Sequence, residues 1–470
     1  MTAGHLLTAS HVASSSSFEK AADSSAEALT IPVPIHRERS GSETSITANP
    51  IAKDDLIVEL LDDTTPGMET HRAAMDMIQR CLPAGSKLAS FRHLASLWAG
   101  YGHVYRVRAS LPSLYSPVGS DADLHNTSSP TTPSSPTSYI LKLISLRSVR
   151  STPKPDDDGH LRKIVSYYVE HYFYKTVAPH LRSRFPHIKV PGTTALDEAR
   201  PSSAPRNIQH ILLMEDLSSA YPVAPKTTLT FTQTKAVLHW LAHFHALYWE
   251  KSITPLYPPP QTLRQDPNWR VEFHPEGLWE QGGYSYLDTR RQELDDISDP
   301  EWVFIKELAD VVNSKLKAGP QFHTLLHGDP KAENIFFTAD EERCALFDFQ
   351  YCGRGLGMRD VAYVLATSTA SDLCEHREKE LLKHYYDHLV ALLPADHQYT
   401  WEVAMDHFEW ALLDFVRHCA AWGFWGNIEC VLLFLFKHIS STDPSLASWM
   451  TRRVQPVIKR AKKICDERQM

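Results

Sequence analysis

In the stretch "LLHGDPKAENIFF", residues 325–337, Asp329 is followed five positions on by Asn334. Asp348 comes after the next apolar run, in "CALFDFQ". A carboxylate can orient a hydroxyl and take its proton, while carboxylate and carboxamide oxygens are hard ligands suited to Mg2+. Phosphoryl transfer asks for that set: one group to align the attacking oxygen and others to hold a metal on a triphosphate. A plain turn would explain Gly, Asp, Pro and Asn in succession. It does not explain why Asp348 stands beyond a second strand-like segment, at the spacing of a kinase catalytic loop and its metal-binding aspartate.

The same chemistry needs a lysine on a strand, paired with a glutamate on a helix. Lys142 lies in "YILKLI", an otherwise apolar strand-like run where an unpaired ammonium would be costly. Glu170 supplies a partner on the next helix. A glycine-rich turn is only partly present: "WAGYGHVYRV" has Gly100 and Gly102 ahead of a strand, with Tyr105 where a third glycine would stand.

Together, "LLHGDPKAENIFF", "ALFDFQ" and "GLGMRDVAYVL" resemble the aminoglycoside phosphotransferase/choline kinase superfamily. With "LLMEDL" and "LAHFHALYW" the chain looks most like the ecdysteroid kinase-like (CHK kinase-like) branch, over roughly residues 50–445. The resemblance implies a protein-kinase-like two-lobed fold and ATP- and Mg2+-dependent phosphorylation of a hydroxyl on a small molecule. By position, Asp329 would be the base and Asn334 and Asp348 the Mg2+ ligands. Lys142 would hold the ATP phosphates and Glu170 would hold Lys142. The backbone around Met214, Glu215 and Asp216 would meet the adenine. His327 and Asp360 would brace the catalytic loop. Lys331, where this branch often has an aromatic residue, matches the catalytic-loop lysine of protein kinases and is a candidate second charge on the γ-phosphate.

These groups need scaffolding, and the pattern of the chain supplies it. "HVYRVRA" and "SYILKLI" read as paired strands separated by a Ser/Pro-rich insertion over about 110–138. From Leu161 apolar residues recur at helical spacing through Phe173, with Glu170 at the edge of that face and Pro179 expected to stop the helix. "IQHILLMEDLS" reads as a buried strand, and "TQTKAVLHWLAHFHALYWE" as one helix. "HTLLH", "NIFFT" and "CALFDF" read as short strands set among many helices. The expectation is an α+β chain: a tail over 1–48, too poor in large apolar residues to fold, a small β-rich lobe over 49–217 that binds nucleotide, and a larger, mostly helical lobe over 218–470.

Composition excludes little but agrees with this. With 48 basic and 56 acidic residues, a net charge of −8 and no basic run, the chain is a poor nucleic-acid binder. Seven dispersed cysteines without a C-x-x-C pair suit a reducing, cytoplasmic compartment. No apolar run is long enough to span a membrane, and no secretory signal is visible at the start of the sequence.

The acceptor side is less defined. "GLWEQGGYSYLDTRRQ" offers Trp279, Tyr284, Tyr286 and Arg290, and "FEWALLDFVRHCAAWGFWGN" offers Trp410, Asp414, Arg417, Trp422, Phe424 and Trp425. Aromatic walls with an aspartate nearby suit a flat or cationic hydroxylated substrate, although most such aromatics are core. Among 25 histidines, His243 and His245 stand two apart on a helix, face different directions, and read as packing or hydrogen-bonding residues. The alternative class is a kinase-shaped binding module without chemistry, for which the thin glycine turn speaks. The absence of an A-P-E element argues against a protein kinase.

Overall fold

The computed structural model describes residues 68–97, 100–112, 136–145, 158–195, 210–225, 228–251, 255–265, 276–298, 303–422 and 449–469. The tail over 1–48, most of the Ser/Pro-rich insertion, Phe424, Trp425 and the side chain of Trp422 lie outside the described residues.

Five strands, β1 (Lys87–Ser96), β2 (Gly102–Ser110), β3 (Thr137–Ile144), β4 (Thr193–Ala195) and β5 (His210–Glu215), form an antiparallel sheet in the order β1-β2-β3-β5-β4. Alternation along β3 decides what each face does. Leu141 and Leu143 join a small core with Ala74, Met77, Ile78 and Cys81 of helix α1 (Met68–Cys81). Those four positions carry the i, i+3, i+4, i+7 spacing of an amphipathic helix. The sequence reading places one helix in this lobe, and α1 is a second. Lys142, between the two leucines, turns to the opposite face.

That face meets helix α2 (Asp158–Tyr172), which runs into a π turn over Phe173–Val177 and continues as α3 (Ala178–Arg184). Pro179 therefore does not stop the helix as its missing N–H suggests. The π turn resets the hydrogen-bond register just before it, and Pro179 falls in the opening turn of α3, where no N–H is needed.

The second lobe is mostly helical. Helix α4 (Phe231–Leu247) starts at a capping box between Thr230 and Gln233. After the short elements β6 (Leu256–Tyr257), α5 (Pro260–Gln265), β7 (Leu278–Trp279) and α6 (Arg291–Asp295) comes α7 (Phe304–Lys317). Next are β8 (His323–Leu326), β9 (Ile335–Phe337), β10 (Cys344–Leu346) and β11 (Gly353–Leu356), then α8 (Met358–Thr367), α9 (Ser371–Val390), α10 (Trp401–Trp422) and α11 (Trp449–Gln469). β9 and β10 form the expected antiparallel hairpin, with Leu346 opposite Ile335. β8 pairs with β11 in a second small sheet. One large apolar core runs from α2 through α4 and the helices that follow to α11. The fold is α+β, a small sheet lobe followed by a larger helical one. Among the described residues no helix is long and apolar enough to cross a membrane.

Candidate active site

Asp329 leaves β8 through a loop that only glycine permits. Gly328 has φ +88°, and a Cβ there would lie 2.1 Å from the Tyr351 carbonyl oxygen. The loop is held by Asp360, whose carboxylate accepts the N–H of His327 (2.6 Å) and of Gly328 (3.0 Å). His245 Nε2 stands 3.2 Å from the same carboxylate, and its Nδ1 is 2.8 Å from the Tyr385 hydroxyl. His327 is fully buried. Its Nε2 donates to Phe347 O (3.1 Å) while its Nδ1 accepts from Asp329 N (3.3 Å). Burial pushes this imidazole below the ordinary histidine value despite the nearby aspartates. The ring is thus neutral and tied at both nitrogens, an arrangement that braces the loop.

The Asp329 carboxylate is 4% exposed and densely met. Oδ1 accepts from the Tyr363 hydroxyl at 2.7 Å. Oδ2 faces Asn334 Nδ2 at 3.3 Å and Lys331 Nζ at 3.1 Å. Asn334 Nδ2 also donates to Asp329 O at 2.9 Å, fixing the amide so that its oxygen points away from Asp329. Burial opposes the charge on Lys331, but Asp329 outweighs it and holds the ammonium well above the usual lysine value.

The hairpin brings Asp348 to the same cleft. Lys142 Nζ lies 2.7 Å from Glu170 Oε2 and 3.5 Å from Asp348 Oδ1. Lys142 is 5% exposed and Glu170 1%, so the pair is desolvated as well as close. Burial opposes protonation of Lys142, and the Asp348 and Glu170 carboxylates overcome it and raise its pKa. Burial likewise opposes ionisation of Asp348, and Lys142, Lys163 and Lys331 around it hold its carboxyl below the usual range. Two further features mark Asp348 out. Its φ is +67°, a left-handed conformation uncommon for a non-glycine residue, and its buried Oδ1 has only the long 3.5 Å approach of Lys142 in place of a well-formed hydrogen bond.

Three ties bind this segment to α2. Beyond the Lys142–Glu170 pair, Phe349 stacks on Phe173 of the π turn, with ring centroids 3.5 Å apart and planes at 9°. Gln350 Oε1 accepts from Lys163 Nζ at 2.8 Å and from Ser166 Oγ at 3.2 Å. Lys163 is absent from the sequence reading. Burial pushes its pKa down to about 8, with Asp348 opposing and Lys142 reinforcing the fall. Sequence offers one signal for it: Lys163 and Glu170 are two turns apart, on the same side of one helix.

The expected nucleotide contacts fare unevenly. Gly102 has φ +155°, and a Cβ there would meet Leu143 O at 1.9 Å, so close strand pairing by itself accounts for that glycine. Gly100 (φ +76°) closes the turn by donating to Leu97 O at 3.1 Å. Glu215 ends β5 with its carboxylate on Lys189 (2.7 Å) and its N–H on Gly192 O (2.7 Å). Asp216 is tied to Arg106 (2.8 Å) and Ser138 (2.6 Å). Both side chains are structural ties, and Met214 is a buried core residue. What remains here for a base is main chain.

Of the acceptor candidates, Tyr284 stands beside the loop. Its N–H donates to Gly328 O at 2.7 Å, Lys331 Nζ lies 5.9 Å from its ring centroid and the Arg290 guanidinium 4.4 Å. Trp279, expected in the acceptor wall, is instead core, with its indole N–H on Gln350 O at 3.0 Å. Tyr286 and Trp410 are buried in the same way. Asp414 is no open seat for a cation: Arg359 at 3.1 Å and Arg417 at 2.8 Å already neutralise it in the interior.

Asp329, Asn334, Asp348, Asp360 and Tyr363 all fall inside one segment of recognisable sequence. Residues 281–395 match the ecdysteroid kinase-like family. The resemblance to that branch is borne out over the segment that carries the loop and Asp348. Lys142 and Glu170 lie outside the match. Over 88 residues the chain is 32% identical to "Uncharacterized protein sll1119" of Synechocystis sp., which it spans over 24% of that protein's length and 18% of its own. Among solved structures it is similar to a microcompartment-associated aminopropanol kinase, with 14% identity and a TM-score of 0.42 over 84% of this chain and 98% of that one. It is also similar to amicoumacin kinase hAmiN, solved with AMP-PNP, Ca2+ and Ami, with 12% identity and a TM-score of 0.41 over 83% and 93%. Likenesses at this level carry no argument about the chemistry of this chain.

Proposed function

We propose that the chain transfers the γ-phosphoryl group of ATP to a hydroxyl of a small-molecule acceptor, with Mg2+ held between protein and nucleotide. The observation that carries this reading is Asp348: a carboxylate held ionised by three lysines, in a strained backbone conformation, whose buried Oδ1 has the Lys142 ammonium at a long 3.5 Å and no well-formed hydrogen bond. A divalent cation would satisfy that oxygen, and the oxygen-donor set of Asp348 and the Asn334 amide fits a hard ion. When bound, Mg2+ would offset charge on the β- and γ-phosphates.

The protein's own part follows from its geometry. Lys142, fixed by Glu170, offers a positioned charge to the phosphates, and Lys163 and Lys331 extend the cationic lining. Asp329 aligns the acceptor hydroxyl and takes its proton as the new O–P bond forms and the bond to the ADP oxygen breaks. Residues 49–217 would serve as the nucleotide lobe, with adenine against the main chain after β5, and 218–470 as the lobe that presents loop and acceptor. Tyr284, beside Lys331, is the acceptor-side residue best placed to touch substrate, whereas Arg290 is 1% exposed and backs the Tyr284 ring from the interior. A screen of hydroxylated small molecules for ATP-dependent phosphate transfer tests the reading, with Asp329→Asn as the inactive control.

A binding module that holds Mg-ATP without transferring phosphate is the second reading. The engagement of both Asp329 oxygens by Tyr363, Asn334 and Lys331 favours it, since an acceptor must compete with those partners. ATP binding without transfer to any acceptor would select it.

A further inference from the structure

Helices α4 and α9 pack side by side, and each carries two histidines one turn apart: His239 and His243 on α4, His384 and His388 on α9. Ring centroids lie 4.3 Å apart within each pair and 4.8 Å apart between His239 and His388. His187, beyond α3, lies 4.9 Å from His243. Two trios, His239/His384/His388 and His187/His239/His243, place their ligand nitrogens within 4.8 Å of one another. His239 belongs to both and gives one ligand atom, so the two trios cannot each hold an ion through it at once.

The second histidine of each pair is oriented for ligation. Nδ1 of His243 bonds to His239 O at 2.9 Å, and Nδ1 of His388 to His384 O at 2.7 Å. A backbone carbonyl on Nδ1 fixes the N–H there and leaves the Nε2 lone pair free, which is how metal-ligating histidines are commonly held. Helix packing explains those bonds without a metal. It does not explain His384, whose Nε2 is buried and makes no hydrogen bond. A cavity of about 470 Å3, lined by His187, His239 and His384 together with Lys235 and Glu342, gives access from the surface. It is lined by none of Lys142, Asp329, Asn334 or Asp348.

We propose that His239, His384 and His388 bind one late first-row divalent ion of the Zn2+, Ni2+ or Cu2+ class, clasping α4 to α9. Three imidazoles suit that class, and the hard-oxygen set at Asp348 does not. The same two helices carry His245 and Tyr385, which hang the brace on Asp360, so the ion would fasten the pair of helices behind the catalytic loop.

The test uses the full chain, freed of metal with EDTA, dialysed, and titrated with Zn2+ by calorimetry beside thermal unfolding. The expected result is one Zn2+ per chain and a raised midpoint. His239→Gln, His384→Gln and His388→Gln should each weaken binding at least about 10-fold, the loss that removing even an outer hydrogen-bond partner of a ligand produces. Asp348→Asn should leave Zn2+ binding unchanged. Unfolding without metal is recorded for every variant, and the visible spectrum of Co2+ bound to the wild type, which needs no variant, reports whether nitrogen ligands surround the ion. Absence of stoichiometric Zn2+ binding by the wild type would overturn the proposal. Loss of binding in His187→Gln and His243→Gln, with the α9 variants unaffected, would overturn the assignment to α9.

Discussion

The Tyr363 hydroxyl donates a 2.7 Å hydrogen bond to Asp329 Oδ1, three residues along α8 from the Asp360 that holds the loop's N–H groups. One helix thus sets both the path of the loop and the aim of its carboxylate. Tyr363→Phe keeps the edge packing on Phe415, 5.2 Å between centroids, and removes only the hydroxyl. Turnover on an accepted hydroxyl substrate should then fall while ATP affinity stays unchanged, because the carboxylate loses the bond that aims it. Turnover equal to that of the wild type would mean that this bond does not set the aim of Asp329.

Asp348 should make nucleotide stabilisation metal-dependent. ATP should raise the thermal midpoint far more with Mg2+ than with EDTA, because a ligand of the native state stabilises by mass action. Asp348→Asn should abolish that difference. Full Mg2+-dependent stabilisation in the variant would remove Asp348 from the metal site.

The Lys142–Glu170 pair is buried, so breaking it from one side should be costly. Glu170→Ala leaves Lys142 with only the more distant Asp348, and urea unfolding should show a loss of about 3–5 kcal/mol. The double variant Lys142→Met, Glu170→Leu should regain most of it, since no charge is then stranded. A double variant as unstable as the single one would mean the pair stabilises by more than mutual neutralisation.

Lys163 should report nucleotide through protons. With its pKa near 8, the folded chain holds fewer protons here than the unfolded chain, whose lysine titrates near 10.4. Stability from this group therefore rises with pH between those values, and below about 8 the burial penalty is present in full. Phosphate charge nearby would raise the pKa, so Mg-ATP binding at pH 8.5 should take up protons. Calorimetry in buffers of different ionisation enthalpy measures the uptake, and Lys163→Met should remove it. Zero uptake in the wild type would place the phosphates away from Lys163.

The parts of this site that sequence discloses are those set by short spacing. Asp329 and Asn334 share one loop, Asp348 lies across one hairpin, and Lys142 and Glu170 announce themselves as charges on apolar elements. The rest depends on which distant faces meet. Tyr363, Lys163 and Gln350 read as ordinary helix and turn residues until α2 and α8 close on the loop. Asp414 reads as an open anion because Arg359 lies on another helix, although Arg417, three residues on along α10, is a partner that spacing alone discloses. Trp279 reads as a wall because nothing local says that it is core. Pro179 misleads because a π turn leaves no mark in apolar spacing. His243 draws the eye to His245, two residues away and facing another direction, when its helical partner is His239, and α9 repeats the same spacing with His384 and His388.

The central claim is that Asp329 is the group that engages the acceptor hydroxyl, and Asp329→Asn tests it most directly. The substitution keeps size and hydrogen bonding and removes charge and basicity. ATP affinity by calorimetry should stay near that of the wild type, while turnover on any accepted hydroxyl substrate should fall about 10²–10⁴-fold, the usual contribution of a positioned general base. Wild-type turnover in Asp329→Asn would contradict the account.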